Sequence, residues 1–272
     1  MKLSKTILSI SSAVLLSASV SAEKIVCEGS STVGPIAKAF AEYFMDKNKE
    51  VSVTVSESGS GNGAKALVNN TCSVATMSRN IKDKEFAAAA ENGVQACPHV
   101  VALDGIAVAV HKSNPVKNLT LVQLKDIYLG KISNWSQVGG ANSKIIVITR
   151  DTNSGTFETF NKLVMKKEKV VDKAEVVGSN GQARSRITTT KNAIAYVGLG
   201  FLEGVKAVNI NGVEATPDTI RSGAYAISRP LFMYTNGYPK IGTALYNFVT
   251  LHLSEDGQEM VEELGFVPVT NY

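Results

Sequence analysis

The chemistry of this chain concentrates in Ile148-Thr149-Arg150-Asp151-Thr152-Asn153-Ser154-Gly155-Thr156-Phe157, where a β-branched run ends on an arginine, turns, and reopens on a small hydroxyl cluster. A guanidinium offers a planar fork of donors, hydroxyls add short ones, and the free N–H groups of a starting helix point at whatever lies above them. The pattern describes a cradle for an anion, and its small side chains suit a compact tetrahedral oxyanion. Arg150 could instead be a surface partner of Asp151 or Glu158. Its position at a strand end, just before a Ser-Gly-Thr helix start, favours ligand contact.

Elements that could position such a cradle recur along the chain as a β-branched run, a loop of Gly, Ser, Thr or Asn, and then an apolar face at helical spacing. Lys24 to Cys27 reads as a strand, Glu28-Gly29-Ser30-Ser31-Thr32 as its loop, and Pro35 to Asn48 as a helix with Ile36, Phe40 and Phe44 on one face. Val51 to Val55 then leads into Ser58-Gly59-Ser60-Gly61-Asn62-Gly63 and a helix carrying Leu67 and Val68. That glycine-rich loop lacks the Gly-Lys-Ser/Thr ending of a nucleotide P-loop, and it suits close approach of backbone to a phosphate-sized anion. Further runs are Cys72 to Met77, which ends at Ser78-Arg79, and Val100 to Val110, which Asp104-Gly105 interrupts. Lys144 to Thr149, Ala193 to Val197 and Ser228 to Tyr234 complete the strands, and helical patterns over Gly242–Leu253 and Gly257–Leu264 close the chain. Alternating strands and helices predict an α/β fold with a mainly parallel, covered sheet, whose polar loops converge at the carboxyl ends of the strands.

Lys2 and Lys5, an apolar stretch from Ile7 to Val20 and the small residues Ser19-Val20-Ser21-Ala22 read as a signal peptide over residues 1–22, cleaved after Ala22 for export. Its loss takes two lysines and no acid, lowering the net charge from +4 to +2. So weak a balance argues against a nucleic-acid partner. Cys27, Cys72 and Cys97 allow one disulfide in an oxidising compartment, and the local loop between Cys72 and Cys97 makes that pair the preferred one. His99, His111 and His252 are scattered without ligand spacing, so neither a metal nor a cofactor is expected. Trp135 reads as packing, and Arg184 and Arg186 as solvent-exposed.

Taken together, several segments resemble the periplasmic phosphate-binding proteins of phosphate ABC transporters. These are Gly29-Ser30-Ser31-Thr32-Val33 with Pro35, Ser58 to Gly63, Ser78-Arg79, Asp104 to Val108, Gly130 to Trp135, Arg150 with Ser154-Gly155-Thr156, and Asn192 to Gly198. The resemblance implies a two-lobed periplasmic binding protein fold (type II) with two crossing strands, hinge closure, and inorganic phosphate buried between the lobes. It also implies delivery to the permease subunits of an ABC transporter by a monomeric receptor. Thr32 and Val33 would present a hydroxyl and amides, Ser60 a second hydroxyl, and Arg150, Ser154, Gly155 and Thr156 the opposing grip, with Ser31, Gly61 and Ser78 as neighbours. By analogy with such hinged folds, lobe I would combine residues 23–108 and 227–272, and lobe II would hold 109–226. Hinges are expected near Ile106–Val110 and Ile227–Tyr234.

The chain departs from the family pattern at two positions that bear on selectivity. Arg79 stands where many members have an aspartate, and Thr152 where an acid follows the arginine by two; the acid here is Asp151. Phosphate near neutral pH carries a proton and sulfate does not, so a buried carboxylate accepts from one and repels the other. Asp104, at a bend in an apolar strand, is the candidate acceptor; it could instead cap a hinge turn or pair with Arg79 or Arg150. Arg79 would either touch ligand or orient Asp104. Two further function classes stay open: a hydrolase, although Ser154 has no nearby histidine, and an exported adhesion or sensory module. Sulfate and molybdate are the alternative cargoes.

Overall fold

A computed structural model describes residues 23–270; the expected signal peptide lies outside the described residues. The chain opens with β1 (Glu23–Gly29), α1 (Gly34–Lys47), β2 (Val51–Ser56), α2 (Ser60–Val68), β3 (Val74–Met77) and α3 (Asp83–Glu91). The long β4 (Ala96–Val110) leads to β5 (Asn118–Leu119), α4 (Leu121–Leu129), β6 (Ile146–Arg150), α5 (Gly155–Phe160), β7 (Glu175–Val177), α6 (Asn180–Thr189), β8 (Ala193–Gly198), β9 (Lys206–Ile210) and α7 (Pro217–Arg221). Then β10 (Ser228–Asn236), α8 (Ala244–Val249) and α9 (Glu255–Glu263) return to the first half.

Local sequence explains the elements nearest the site. Pro35 sits in the first turn of α1, where its missing N–H has no helical partner to lose, and Ile36, Phe40 and Phe44 are buried on one face. Ser154 caps α5 by accepting from the Phe157 N–H at 3.2 Å. Helix α5 runs on into a π-helical turn, Asn161–Met165, that ends where Lys166 and Lys167 adopt positive φ.

The sheet order is β2-β1-β3-β10-β4-β8-β6-β7. Pairing is parallel in the outer parts, β1 with β2 and β3, and β6 with β7 and β8. The centre is antiparallel, which corrects the expectation of a mainly parallel sheet. β10 runs against both β3 and β4, and β4 runs against β10 from Ala96 to Gly105, then against β8 and β9 from Ile106 to Val110. One strand thus serves two halves in turn, which gives the two-lobed fold. Separate cores flank the change of partner, one around Phe40, Phe248 and Phe266, the other around Tyr128, Trp135, Phe160 and Tyr196. Trp135 is packing, as expected, with its indole N–H on the Asn192 carbonyl at 3.0 Å. Arg184 and Arg186 pair with Glu203 and Glu175 near the surface.

The preferred disulfide does not form, and all three cysteines are free thiols. Cys72 precedes β3 and Cys97 lies on β4, and β10 runs between those strands. Two interstrand steps are about 9.6 Å, beyond the roughly 7 Å Cα separation that a disulfide can bridge.

Gly63 fixes the depth of α2 on the sheet. A Cβ there would lie 2.8 Å from the Glu28 carbonyl oxygen and 3.0 Å from both the Gly29 Cα and the Thr76 carbonyl oxygen, all main chain. Gly63→Ala is expected to lift α2, lower stability by about 1–3 kcal/mol and displace Ser60 at its start. Urea unfolding and anion titration check this, and unchanged values in both would refute it.

Candidate functional site

Arg150, at the end of β6, is 3 % exposed. Its Nε donates to the Val177 carbonyl at 3.2 Å, and its Nη2 donates to the Gly178 carbonyl at 2.8 Å and the Ser31 hydroxyl at 3.3 Å. The remaining nitrogen, Nη1, is buried with no hydrogen-bond partner among the described residues. The Tyr196 hydroxyl accepts from the Arg150 main-chain N–H at 3.1 Å and lies 2.8 Å from Thr149 Oγ1, fixing the strand end. Burial lowers the Arg150 pKa to about 10, and the Arg229 cation pushes the same way. The guanidinium stays protonated at neutral pH, anchored by carbonyls and without a paired carboxylate.

Hydroxyls from both halves meet beside it. Thr32 Oγ1 lies 3.1 Å from Thr156 Oγ1 and accepts from Asn180 Nδ2 at 2.9 Å. Ser60 Oγ lies 3.2 Å from Ser78 Oγ and accepts from the Ser78 N–H at 3.0 Å. Gly155 sits over that pair so closely that a Cβ would come within 2.5 Å of Ser60 Oγ and 2.6 Å of Ser78 Oγ. The Gly61 N–H donates to the Asn153 carbonyl at 2.9 Å, a main-chain bond between the halves. Ser154 caps α5 behind this group. The Thr32 and Val33 amides are turned onto the Ser30 hydroxyl, at 3.1 and 3.4 Å.

Asp104 is fully buried, and its partner is neither Arg79 nor Arg150 but Arg229, directly across the β4–β10 ladder. Arg229 donates to Asp104 Oδ2 through Nε at 3.0 Å and Nη2 at 2.8 Å, and the Leu199 N–H donates to Oδ1 at 2.8 Å. The same Arg229 reaches the Ser78 carbonyl at 3.0 Å, Thr156 Oγ1 at 3.0 Å and Thr32 Oγ1 at 3.4 Å. Burial pushes the Asp104 carboxyl upward and the Arg229 guanidinium downward, while their mutual attraction opposes both shifts. Two guanidiniums against one carboxylate leave the cluster net positive, a field suited to an anion.

Of the residues singled out in the sequence, Ser31, Thr32, Val33, Ser60, Gly61, Ser78, Asp104, Arg150, Ser154, Gly155 and Thr156 gather in this region. Arg79 turns away, with its guanidinium on Glu85 at 2.8 Å and on Glu158 at 3.0 Å. Glu158, the alternative partner considered for Arg150, therefore belongs to Arg79. Sequence reasoning missed Arg229 and Asn180. A lone charge opening the apolar strand Ser228–Tyr234 was the available signal for Arg229, since Asp104 is an equally isolated acid in another apolar run. Asn180 had no signal beyond its place after the capping Ser179.

A family model described as a PBP superfamily domain matches residues 17–256. The phosphate-binding protein PstS of Staphylococcus epidermidis is 34 % identical over 88 % of this chain and 77 % of its own length. PstS of Borreliella burgdorferi is 32 % identical over 91 % of each chain. The chain belongs to the PstS family of phosphate-binding proteins. A crystal structure with bound phosphate from Clostridium perfringens, assigned as a phosphate ABC transporter substrate-binding protein, superposes with a TM-score of 0.85 at 34 % identity. It covers 91 % of this chain and 100 % of that one. An ABC-type phosphate transport receptor from Vibrio cholerae gives 0.73 at 30 % identity, over 89 % of this chain and 99 % of its own.

In this PstS-family chain the Asp104–Arg229 pair separates structural from ligand roles. Arg229→Gln leaves a buried carboxylate without its cation and should cost about 3–5 kcal/mol of stability. The double variant Asp104→Leu with Arg229→Met should recover most of that loss in urea unfolding while still binding anion poorly in calorimetry. Full anion affinity in the double variant would remove Arg229 from the site.

Proposed function

We propose that this protein is an exported receptor that captures inorganic phosphate between its two lobes and delivers it to the permease subunits of an ABC transporter. The observation that carries the reading is the Arg150 guanidinium, buried and fixed by carbonyls, with Nη1 lacking a partner and Nη2 on the Ser31 hydroxyl, which Asn180 links to Thr32. A trigonal fork with a spare donor beside convergent hydroxyls complements a tetrahedral oxyanion, which accepts from every side. The PstS relatives and the phosphate-bound neighbour support phosphate among such anions.

The ligand set of the proposal is Ser31, Thr32, Val33, Ser60, Gly61, Ser78, Asp104, Arg150, Ser154, Gly155 and Thr156, with Arg229 and Asn180 added and Arg79 moved outside it. Closure brings the Thr32 and Ser60 loops onto the start of α5. The lobes of the proposal are 23–108 with 227–272, and 109–226; the change of partner along β4 supports that division. Export rests on the leader-like residues 1–22, and among the described residues no helix is long and apolar enough to cross a membrane. A binding rather than enzymatic role is supported by the relatives' names and by Ser154, whose hydroxyl caps a helix while His99, His111 and His252 bond to Thr235, Ser113 and Val249.

Selectivity falls to Asp104. Its Oδ2 already accepts twice from Arg229 and its Oδ1 once from Leu199, which leaves one lone pair on Oδ1 for a phosphate proton. Sulfate has no proton to give and meets repulsion instead.

Calorimetry of the mature protein, stripped of anion by partial unfolding and dialysis, tests the reading with phosphate, arsenate, sulfate and molybdate in turn. One-to-one binding of phosphate and arsenate over sulfate is the expected result. A preference for sulfate or molybdate would reassign the cargo, and no binding to any would leave the adhesion or sensory role. Arg150→Lys is expected to lower phosphate affinity by about 100-fold, since a single ammonium nitrogen cannot stand in for Nε and Nη2 on the two carbonyls and for Nη1 at the anion. Asp104→Asn should narrow the phosphate-to-sulfate ratio. That ratio is the readout because losing the partner of Arg229 shifts both affinities.

A further inference from the structure

Beside the anion site the two lobes part around a cavity of about 850 Å³, bordered by Arg79, Lys82, Thr152, Phe157, Lys162 and Pro230. Charge bridges this gap. Glu158, on the outward side of α5, brings Oε1 within 3.0 Å of Arg79 Nε and Oε2 within 2.6 Å of Lys82 Nζ. The Arg79 contact is an ion contact of poor N–H···O alignment rather than a directed hydrogen bond.

Arg79 is held ready for this contact by its own lobe. Glu85 takes both ends of the guanidinium fork at 2.8 Å and accepts from the Lys82 main-chain N–H at 3.0 Å, and the Asn80 carbonyl accepts from Nη1 at 2.9 Å. Nε is the one guanidinium nitrogen with no hydrogen bond in its own lobe. Arg79 is 7 % exposed and the Glu158 side chain 18 %, so salt screens this pair far less than an exposed one. Glu158 also sits one turn beyond Gly155 and Thr156 on the same helix, so any movement of α5 that seats those residues on the anion carries Glu158 to Arg79 and Lys82.

We infer that Glu158 is a positioning residue of the receptor, a latch that holds the lobes closed through Arg79 and Lys82 without touching the ligand. This deepens the proposed function by assigning part of the affinity and residence time of the bound anion to a contact outside the site. Removing Glu158 leaves Arg79 neutralised by Glu85, so the variant Glu158→Gln strands no buried charge and should fold normally.

The Gly61 amide provides a readout independent of any ligand, because its hydrogen bond to the Asn153 carbonyl exists only when the lobes meet. Its hydrogen exchange is followed by NMR in the phosphate-free protein, with the Val108 amide in the shared strand as the control for global stability. Glu158→Gln is expected to speed Gly61 exchange about tenfold with Val108 unchanged, and Lys82→Gln to do so less. Salt near 0.5 M should speed the wild type only as far as Lys82→Gln does, because Lys82 is the exposed member of the latch, and should leave Glu158→Gln unmoved. Where the wild type binds phosphate, the variant should release it about tenfold faster by stopped flow. Gly61 exchange equal in wild type and Glu158→Gln would overturn the latch. A wild type that binds no phosphate would overturn the cargo assignment, and Gly61 exchange would still decide the latch.

Discussion

The Asp104–Arg229 pair is the constraint around which the rest of the molecule is arranged. It joins β4 to β10 at the centre of the sheet, one position before their ladder ends at Gly105 and Ser228 and β4 passes to β8 and β9. A buried ion pair is weak evidence of stability, because desolvation consumes much of the attraction. Its use here is directional. By accepting from Nε and Nη2 of Arg229, Asp104 turns the second N–H of Nη2 towards Thr32 and Thr156, one residue from each side of the cleft. The change of partner along β4 and the site therefore share atoms, and neither can be rearranged alone.

Around that pair the donors are graded by how firmly they are held. Arg150 hangs on main-chain carbonyls of β7 and the following residue, and Asn180 spans from the Gly198 N–H to Thr32. Ser60 and Ser78 hold one another under Gly155, where no larger residue fits. Recognition by groups already fixed in place loses little entropy on binding.

The strands, their loops and the meeting of the small polar loop residues were legible in the sequence because each combines a β-branched run with small polar residues at its end, a local signal. What stayed hidden was set by distant partners. The antiparallel centre of the sheet arises because β10 arrives from late in the chain to lie between β3 and β4, and the same insertion keeps Cys72 and Cys97 apart. Arg229 and Asn180 were missed because their roles depend on what faces them across the fold. Arg79 was placed in the site on the strength of its neighbour Ser78, yet the backbone sends the two side chains different ways, Ser78 to Ser60 and Arg79 to Glu85.

The carbonyl anchoring of Arg150 has a consequence for signalling occupancy. Carbonyls orient the guanidinium but do not neutralise it, so a shut, unloaded receptor would enclose an uncompensated cation beside a second one. Burying a lone charge is expensive on the scale of several kcal/mol. The anion is then the missing counter-charge of the folded core, and the shut shape is held more weakly without it than with it. A transporter that recognised only outline would thereby be reading cargo, and unloaded copies would compete poorly for the same docking place.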